Sequence, residues 1–163
     1  MPAFLLSLLL ATAPVTPDGG ILVAKGQRFL AEVAVTPQEK SRGLMYRQSL
    51  ARDRCMVFLY EDDGYRPIWM KNCLISLDVV WVKEDGTIVE IVEQAPPLSP
   101  LFKGPDETAP TYGGKVLSRH FVEFPVGTVR RLKLKLGDRL GWNLRLADGT
   151  AVVGGTPVPK KGK

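Results

Sequence analysis

Cysteine and histidine are scarce in this chain, with two cysteines and one histidine in 163 residues. Structural zinc sites take four such ligands and a single-chain iron–sulfur cluster takes four cysteines, so both are excluded and no cofactor or metal is expected. No apolar run reaches the roughly 18 residues of a membrane span. No basic stripe interleaved with aromatics is present, so a nucleic-acid partner is not expected. Of the net charge of +5, three charges are Lys160, Lys161 and Lys163 in a terminal tail. Arg130, Arg131, Lys133 and Lys135 form a local basic cluster that reads as a solvated face. Internal repeats, a Cys-x-x-Cys pair and a nucleophile elbow are also missing, which removes the usual signatures of redox and serine-hydrolase chemistry. What remains is 45% hydrophobic and 24% charged, the balance of one ordinary globular domain.

Residues 3–13 are an uncharged apolar run ending in Ala11-Thr12-Ala13, a small-x-small cleavage pattern. No lysine or arginine precedes it, and Pro14 follows the cut. Both features count against a signal peptide, yet the run and its cleavage pattern make residues 1–13 read as one and the protein as exported, periplasmic or secreted; a short buried N-terminal helix is the alternative. Residues 14–27, with Pro14, Pro17, Gly19, Gly20 and Gly26, read as a linker.

From residue 28 the punctuation is that of a mainly β protein. Phe29, Ala31, Val33 and Val35 share one parity, which predicts a half-buried strand. Thr36-Pro37-Gln38-Glu39 is a capping box with proline at the first helical position, which predicts one short helix near 37–43 stopped by Gly43. The dense apolar runs Cys55–Tyr60 and Pro67–Leu74 predict a hairpin turning through Glu61–Arg66. Leu77–Lys83 and Thr87–Glu93 flank Glu84-Asp85-Gly86 and predict a second one. Residues 96–114 are rich in proline and glycine and form a long loop, a candidate lip for a site. Further strands are expected at Val116–Phe124, Arg139–Leu146 and Thr150–Val153, with a helical turn at Thr128–Leu132. The sum is a compact β-barrel-like or sandwich-like single domain over 28–154, mainly β and α+β at the margin, followed by a basic tail at 155–163.

Arg42-Gly43-Leu44-Met45, Cys55-Met56-Val57-Phe58, the block Trp69 to Asp78, Ala95-Pro96-Pro97, Phe124 to Thr128 and Gly137-Asp138 occur in an order and spacing that resemble the domain of unknown function 192 family. The resemblance runs from about Arg28 to Gly141. It implies a β-rich, barrel-like fold and no established activity. The family pattern usually has Gly at Cys55, Thr at Cys73 and Pro at Ser76.

Both cysteines thus stand at departures from that pattern. In a hairpin centred on Gly64, residues equidistant from the turn face each other, Cys55 and Cys73 among them. Opposed strand residues lie within disulfide reach, so a disulfide is expected in an exported chain. Two buried free thiols are the plainer alternative.

Lys71 and Asn72 are polar residues inside an apolar run. Trp69, Lys71, Asn72, Asp78 and Arg42 are the candidate ligand-binding residues, with tryptophan as a stacking face and Lys71 and Arg42 as charge for a small polar or anionic ligand. The alternative is a buried salt bridge from Lys71 to Asp78 or Glu123, with Asn72 capping a turn. A triad through His120 and Ser118 or Ser99 is formally possible but lacks its elbow, so no catalytic residue is assigned. Met45, Met56 and Met70 suit soft Cu(I), yet all stand in apolar runs and read as core. The functional expectation is a non-catalytic binding module for a small polar ligand or an envelope partner. A hydrolase acting on an envelope substrate and a purely structural partner protein are the alternatives.

Overall fold

The computed structural model describes residues 19–155. The signal peptide and basic tail expected from the sequence lie outside these residues, apart from Gly155. Ten strands are described: β1 (Gly19–Ala24), β2 (Gln27–Ala34), β3 (Arg54–Phe58), β4 (Ile68–Trp69), β5 (Leu77–Val82), β6 (Ile88–Ala95), β7 (Thr111–Tyr112), β8 (His120–Pro125), β9 (Leu140–Arg145) and β10 (Ala151–Gly155). Two short helices join them, α1 (Pro37–Arg42) and α2 (Thr128–Leu132). Eight strands form one sheet in the order β10-β9-β1-β2-β3-β8-β5-β6, while β4 and β7 make a separate pair. The β2–β3 pairing is parallel, bridged by the segment that carries α1, and the other pairings are antiparallel.

The sheet curls until the turn leading into its edge strand β6 meets the start of β9, the strand next to its other edge. Leu140 N–H donates to Gly86 O at 2.9 Å and Ile88 N–H to Asp138 O at 2.8 Å, joining the β5–β6 turn to the start of β9. Gly86 is needed at this seam: its φ is +82° and a Cβ there would lie 2.1 Å from Leu140 O. The result is the mainly β, barrel-like domain that the punctuation predicts.

Curling gives the sheet an inside and an outside, and each has its own core. The inner core gathers Phe29, Cys55, Val57, Val80, Val122, Phe124 and Trp142. The outer core gathers Met56, Phe58, Val79, Trp81 and Phe121 beneath Leu44, Ile68 and Met70 from the covering segments. Phe58 and Phe121 stack at 4.2 Å on the outside, and Phe29 meets Phe124 edge-on at 5.0 Å inside. Because β5 is buried on both faces, every residue from Leu77 to Val82 is buried.

The capping box forms as expected. Thr36 Oγ1 accepts from Glu39 N–H and Glu39 Oε2 accepts from Thr36 N–H. The β5–β6 hairpin, α2, β9 and β10 also stand where the sequence places them, while the strand expected from Val116 begins at His120. Two expectations are corrected. Residues 19–24 are not linker: they form β1, paired with both β2 and β9. The run Cys55–Tyr60 does not make a hairpin with Pro67–Leu74. β3 pairs with β2 and β8, β4 pairs with β7, and Gly64 sits in an isolated bridge to Ser118. Cys55 consequently faces the inner core while Cys73 packs against the outer one. Both are free thiols with a layer of sheet between them, so the expected disulfide is absent.

Candidate functional site

On the outer face, α1 ends above the sheet and the segment around β4 lies beside it. Between them opens a half-enclosed recess of about 130 Å³. Arg42 and Lys40 reach it from α1, Trp69 and Lys71 from β4 and its following turn, and Tyr60 from the end of β3. Phe58, Phe121 and Ile68 supply apolar wall, and Glu123 lies among the lining residues. The chain turns over this recess at Gly43, which has φ +44° and stands close enough that a Cβ would lie 3.9 Å from Glu123 Oε2.

Glu123 is the unusual group. It is 6% exposed, and its Oε2 is buried with no hydrogen-bond partner. Burial pushes its carboxyl up to about 8, so at neutral pH it is mostly the neutral acid. Burial is the sole cause of that shift; the cations at the rim do not offset it. Burial, then Glu123 itself, pushes the nearby Cys73 thiol up to about 11.

The rim is cationic and partly anchored. Lys71 Nζ donates to Asp106 Oδ2 and lies 5.3 Å from the centre of the Trp69 ring. Asp106 belongs to the 96–114 loop, and β7 of the same loop pairs with β4. The loop therefore holds the tryptophan and the lysine in place, as a lip would. Lys40 Nζ lies 3.9 Å and Arg66 Cζ 3.6 Å from the Tyr60 ring centre. Burial and then Arg66 lower the Lys40 ammonium from its usual range. Arg42 has no ion-pair partner among the described residues.

Of the five candidate residues, Arg42, Trp69 and Lys71 thus line one recess. Asp78 does not join them. It points to the inner side of β5, where it is fully buried and accepts from Gln94 N–H at 3.0 Å and Val129 N–H at 2.9 Å. It caps α2, whose own N-cap is Gly127 and supplies no side chain. Asn72 shapes the turn after β4 with φ +57°, its carbonyl accepts from Tyr46 N–H, and its amide donates to Met45 Sδ at 3.7 Å. The salt bridge imagined from Lys71 to Asp78 or Glu123 is replaced by one to Asp106. His120 is also distant in role: it faces the inner side, its Nδ1 accepts from Tyr60 N–H at 3.1 Å, and burial lowers it to about 4. Met56 and Met70 are core. Glu123, Tyr60 and Lys40 are the lining residues that the sequence reading does not assign to a site; the parity of Phe121 and Glu123 on β8 was the available signal.

A barrel-like sheet with a recess on its outer face and an unpaired acid inside is the class of fold seen here. The family model of DUF192, described as an uncharacterized ACR, matches residues 20–142, and the chain belongs to this family. It is similar to the crystal structure of a candidate transcription regulator from Sinorhizobium meliloti 1021, with 32% identity, 77% of this chain and 92% of that one covered, and a TM-score of 0.65. It is also similar to a protein of unknown function from Novosphingobium aromaticivorans DSM 12444, with 26% identity, 77% and 84% covered, and a TM-score of 0.63. No curated protein matches.

Proposed function

We propose that this protein is a non-catalytic binding module of an exported chain, and that its outer-face recess holds a small polar or anionic ligand. The observation that carries this reading is the convergence of Arg42, Lys71 and Trp69 around a recess that contains a buried, unpartnered carboxyl group. An unsatisfied buried polar atom costs on the order of 1–3 kcal/mol. A ligand that hydrogen-bonds Glu123 would recover part of that, while Trp69 offers a face and the rim cations offer charge. Export rests on the apolar run at 3–13 alone.

A raised carboxyl in a recess is also what a general acid looks like, which favours the hydrolase alternative. General acid–base chemistry needs a second convergent group. The lining residues include no second carboxylate and no histidine, and the Cys73 thiol is held protonated. Binding is therefore the better account. The regulator role named for the Sinorhizobium protein would require a nucleic-acid partner here. It is an outcome to test with a DNA mobility assay, not the reading supported by this recess.

The test is a thermal-shift screen of the full chain with sugars, nucleotides, small anions and metal ions. A reproducible rise in melting temperature that is lost in Trp69→Ala supports the reading. Ligands that shift the variant equally, or a silent screen, overturn it.

A further inference from the structure

We propose that Glu123 acts as a hydrogen-bond-donating acid toward the ligand, and that the recess therefore takes a small carboxylate with an apolar body. This rests on reading the recess as a binding site, and it names the ligand class.

Glu123 is more than nine-tenths buried, Oε2 has no partner, and the group sits among Phe58, Phe121 and Ile68 in the recess. The charged and titratable groups around it come from each neighbouring element. Lys40 and Arg42 are on α1, and Tyr60 follows β3 with Arg66 against its ring. Lys71, tied to Asp106, and Cys73 follow β4. His120, on the same strand, faces the other side of the sheet. None of the cations pairs with Glu123, and burial alone holds it neutral at pH 7. Tyr60 and Cys73 are both shifted upward and also stay neutral.

An acid deep in a pocket with cations at its mouth selects among ligand classes. An ammonium group meets Lys40, Arg42 and Lys71 at the entrance and finds no ionised partner inside. A phosphate needs several donors, whereas Glu123 offers one, against aromatic walls. A carboxylate needs one strong donor and one countercharge. It accepts the Glu123 proton in a charge-assisted O–H···O⁻ bond, among the stronger hydrogen bonds available to proteins. Its other oxygen faces the cationic rim, and its apolar body meets Trp69 and the phenylalanines. No covalent bond forms or breaks, and the proton stays between the two carboxyl groups.

The test is calorimetry on the full chain with butyrate and benzoate, and with inorganic phosphate, glucose and butyramide as contrasts, at pH 6.5, 7.5 and 9. The carboxylates are fully ionised throughout. They should bind at pH 6.5, and the dissociation constant should rise about tenfold per pH unit once Glu123 ionises. Glu123→Gln, whose amide still donates, should bind without that pH dependence. Lys40→Arg, which keeps its charge at pH 9, should retain it; if it does not, Lys40 is the titrating group and the proposal fails. Carboxylate binding that is level from pH 6.5 to 9 also overturns it. If phosphate or glucose binds instead, and Trp69→Ala abolishes that binding, this inference falls while the binding-module reading stands. If none of the five probes binds but the wider screen gives a Trp69-dependent hit, the outcome is the same. Silence in both overturns both.

Discussion

The two faces of the curled sheet treat their buried carboxyl groups in opposite ways. Inside, Asp78 is fully buried and both its oxygens accept backbone N–H groups, one from β6 and one from α2. Outside, Glu123 is also buried, at 6% exposure, and has an oxygen with no partner. The contrast separates two uses of a buried acid. Asp78 is a strut: it caps a five-residue helix that lacks its own cap and pins Gln94, which has φ +55°, at an irregularity in the β5–β6 ladder. The Glu123 carboxyl makes no hydrogen bond in the described residues, and the proposed ligand is what would satisfy it.

The largest break in this comparison comes from Asp78→Ala. It strands two backbone N–H groups, each worth about 1–3 kcal/mol when left without an acceptor. We expect a loss of about 3 kcal/mol or more in urea unfolding, with α2 and the β5–β6 ladder gaining hydrogen-exchange rate first. A loss below about 1 kcal/mol would mean that Asp78 is not the strut described.

The pH dependence of stability comes next, and its sign follows from the two groups on β8. Glu123 is raised from 4.5 to about 8 on folding, so between those values the native state holds the extra proton and stability falls as pH rises. His120 is lowered from 6.5 to about 4, so over that window the unfolded state holds the extra proton and stability climbs as pH rises. The two oppose each other between about 4.5 and 6.5. Above 6.5 only the Glu123 effect remains, at up to ~1.4 kcal/mol per pH unit. Denaturant melts should show a level region followed by a fall of about 2 kcal/mol toward pH 8. Glu123→Gln should abolish that fall and leave a rise from pH 4 to 6.5. A wild-type profile with no fall above 6.5 would place Glu123 as an ordinary ionised carboxylate.

The cysteines give a matched pair. Cys55→Ser places a hydroxyl in the sealed inner core, at a cost of about 1–2 kcal/mol, whereas Cys73→Ser at the half-buried outer position should cost under about 0.5 kcal/mol. Unfolding without reductant should expose two alkylatable thiols. Equal costs for the two variants would blur the difference between the faces.

How far the sequence carries depends on whether the information is local. The capping box at Thr36 and the Asp85-Gly86 turn are complete within a few residues, and both form as read. β1 hides behind its own glycines. Gly20 looks like linker, yet a Cβ there would lie 2.2 Å from Asn143 O, so the glycine is what lets β1 sit against β9. The false hairpin has a different cause. β3 is dense with apolar residues because both its faces are covered, and density carries no register. The same effect hides Asp78, whose side of β5 cannot be read from a run that is buried throughout. The recess is half legible for a related reason. Arg42, Trp69 and Lys71 stand out as polar or aromatic residues in recognisable blocks, but Glu123 reaches them only through the β3–β8 pairing, from far along the chain.

A small stability effect is also expected for Lys71→Ala, and it discriminates between the two readings of that lysine. A lysine buried in an apolar run with a carboxylate partner would cost 3–5 kcal/mol to break, because the partner would be left charged and unpaired. Lys71 is instead part-exposed, and its partner Asp106 lies on a loop with more than half its side chain in water. Exposed pairs of this kind are worth roughly 0–1 kcal/mol, and salt weakens them further. Lys71→Ala should therefore melt within a few degrees of the wild type. It should also weaken carboxylate binding several-fold and leave the pH dependence set by Glu123 in place. A variant that unfolds would return Lys71 to the framework and leave Arg42 and Lys40 as the cations of the recess. A variant that melts normally and binds normally would remove the lysine from the site and shift the electrostatic role to α1.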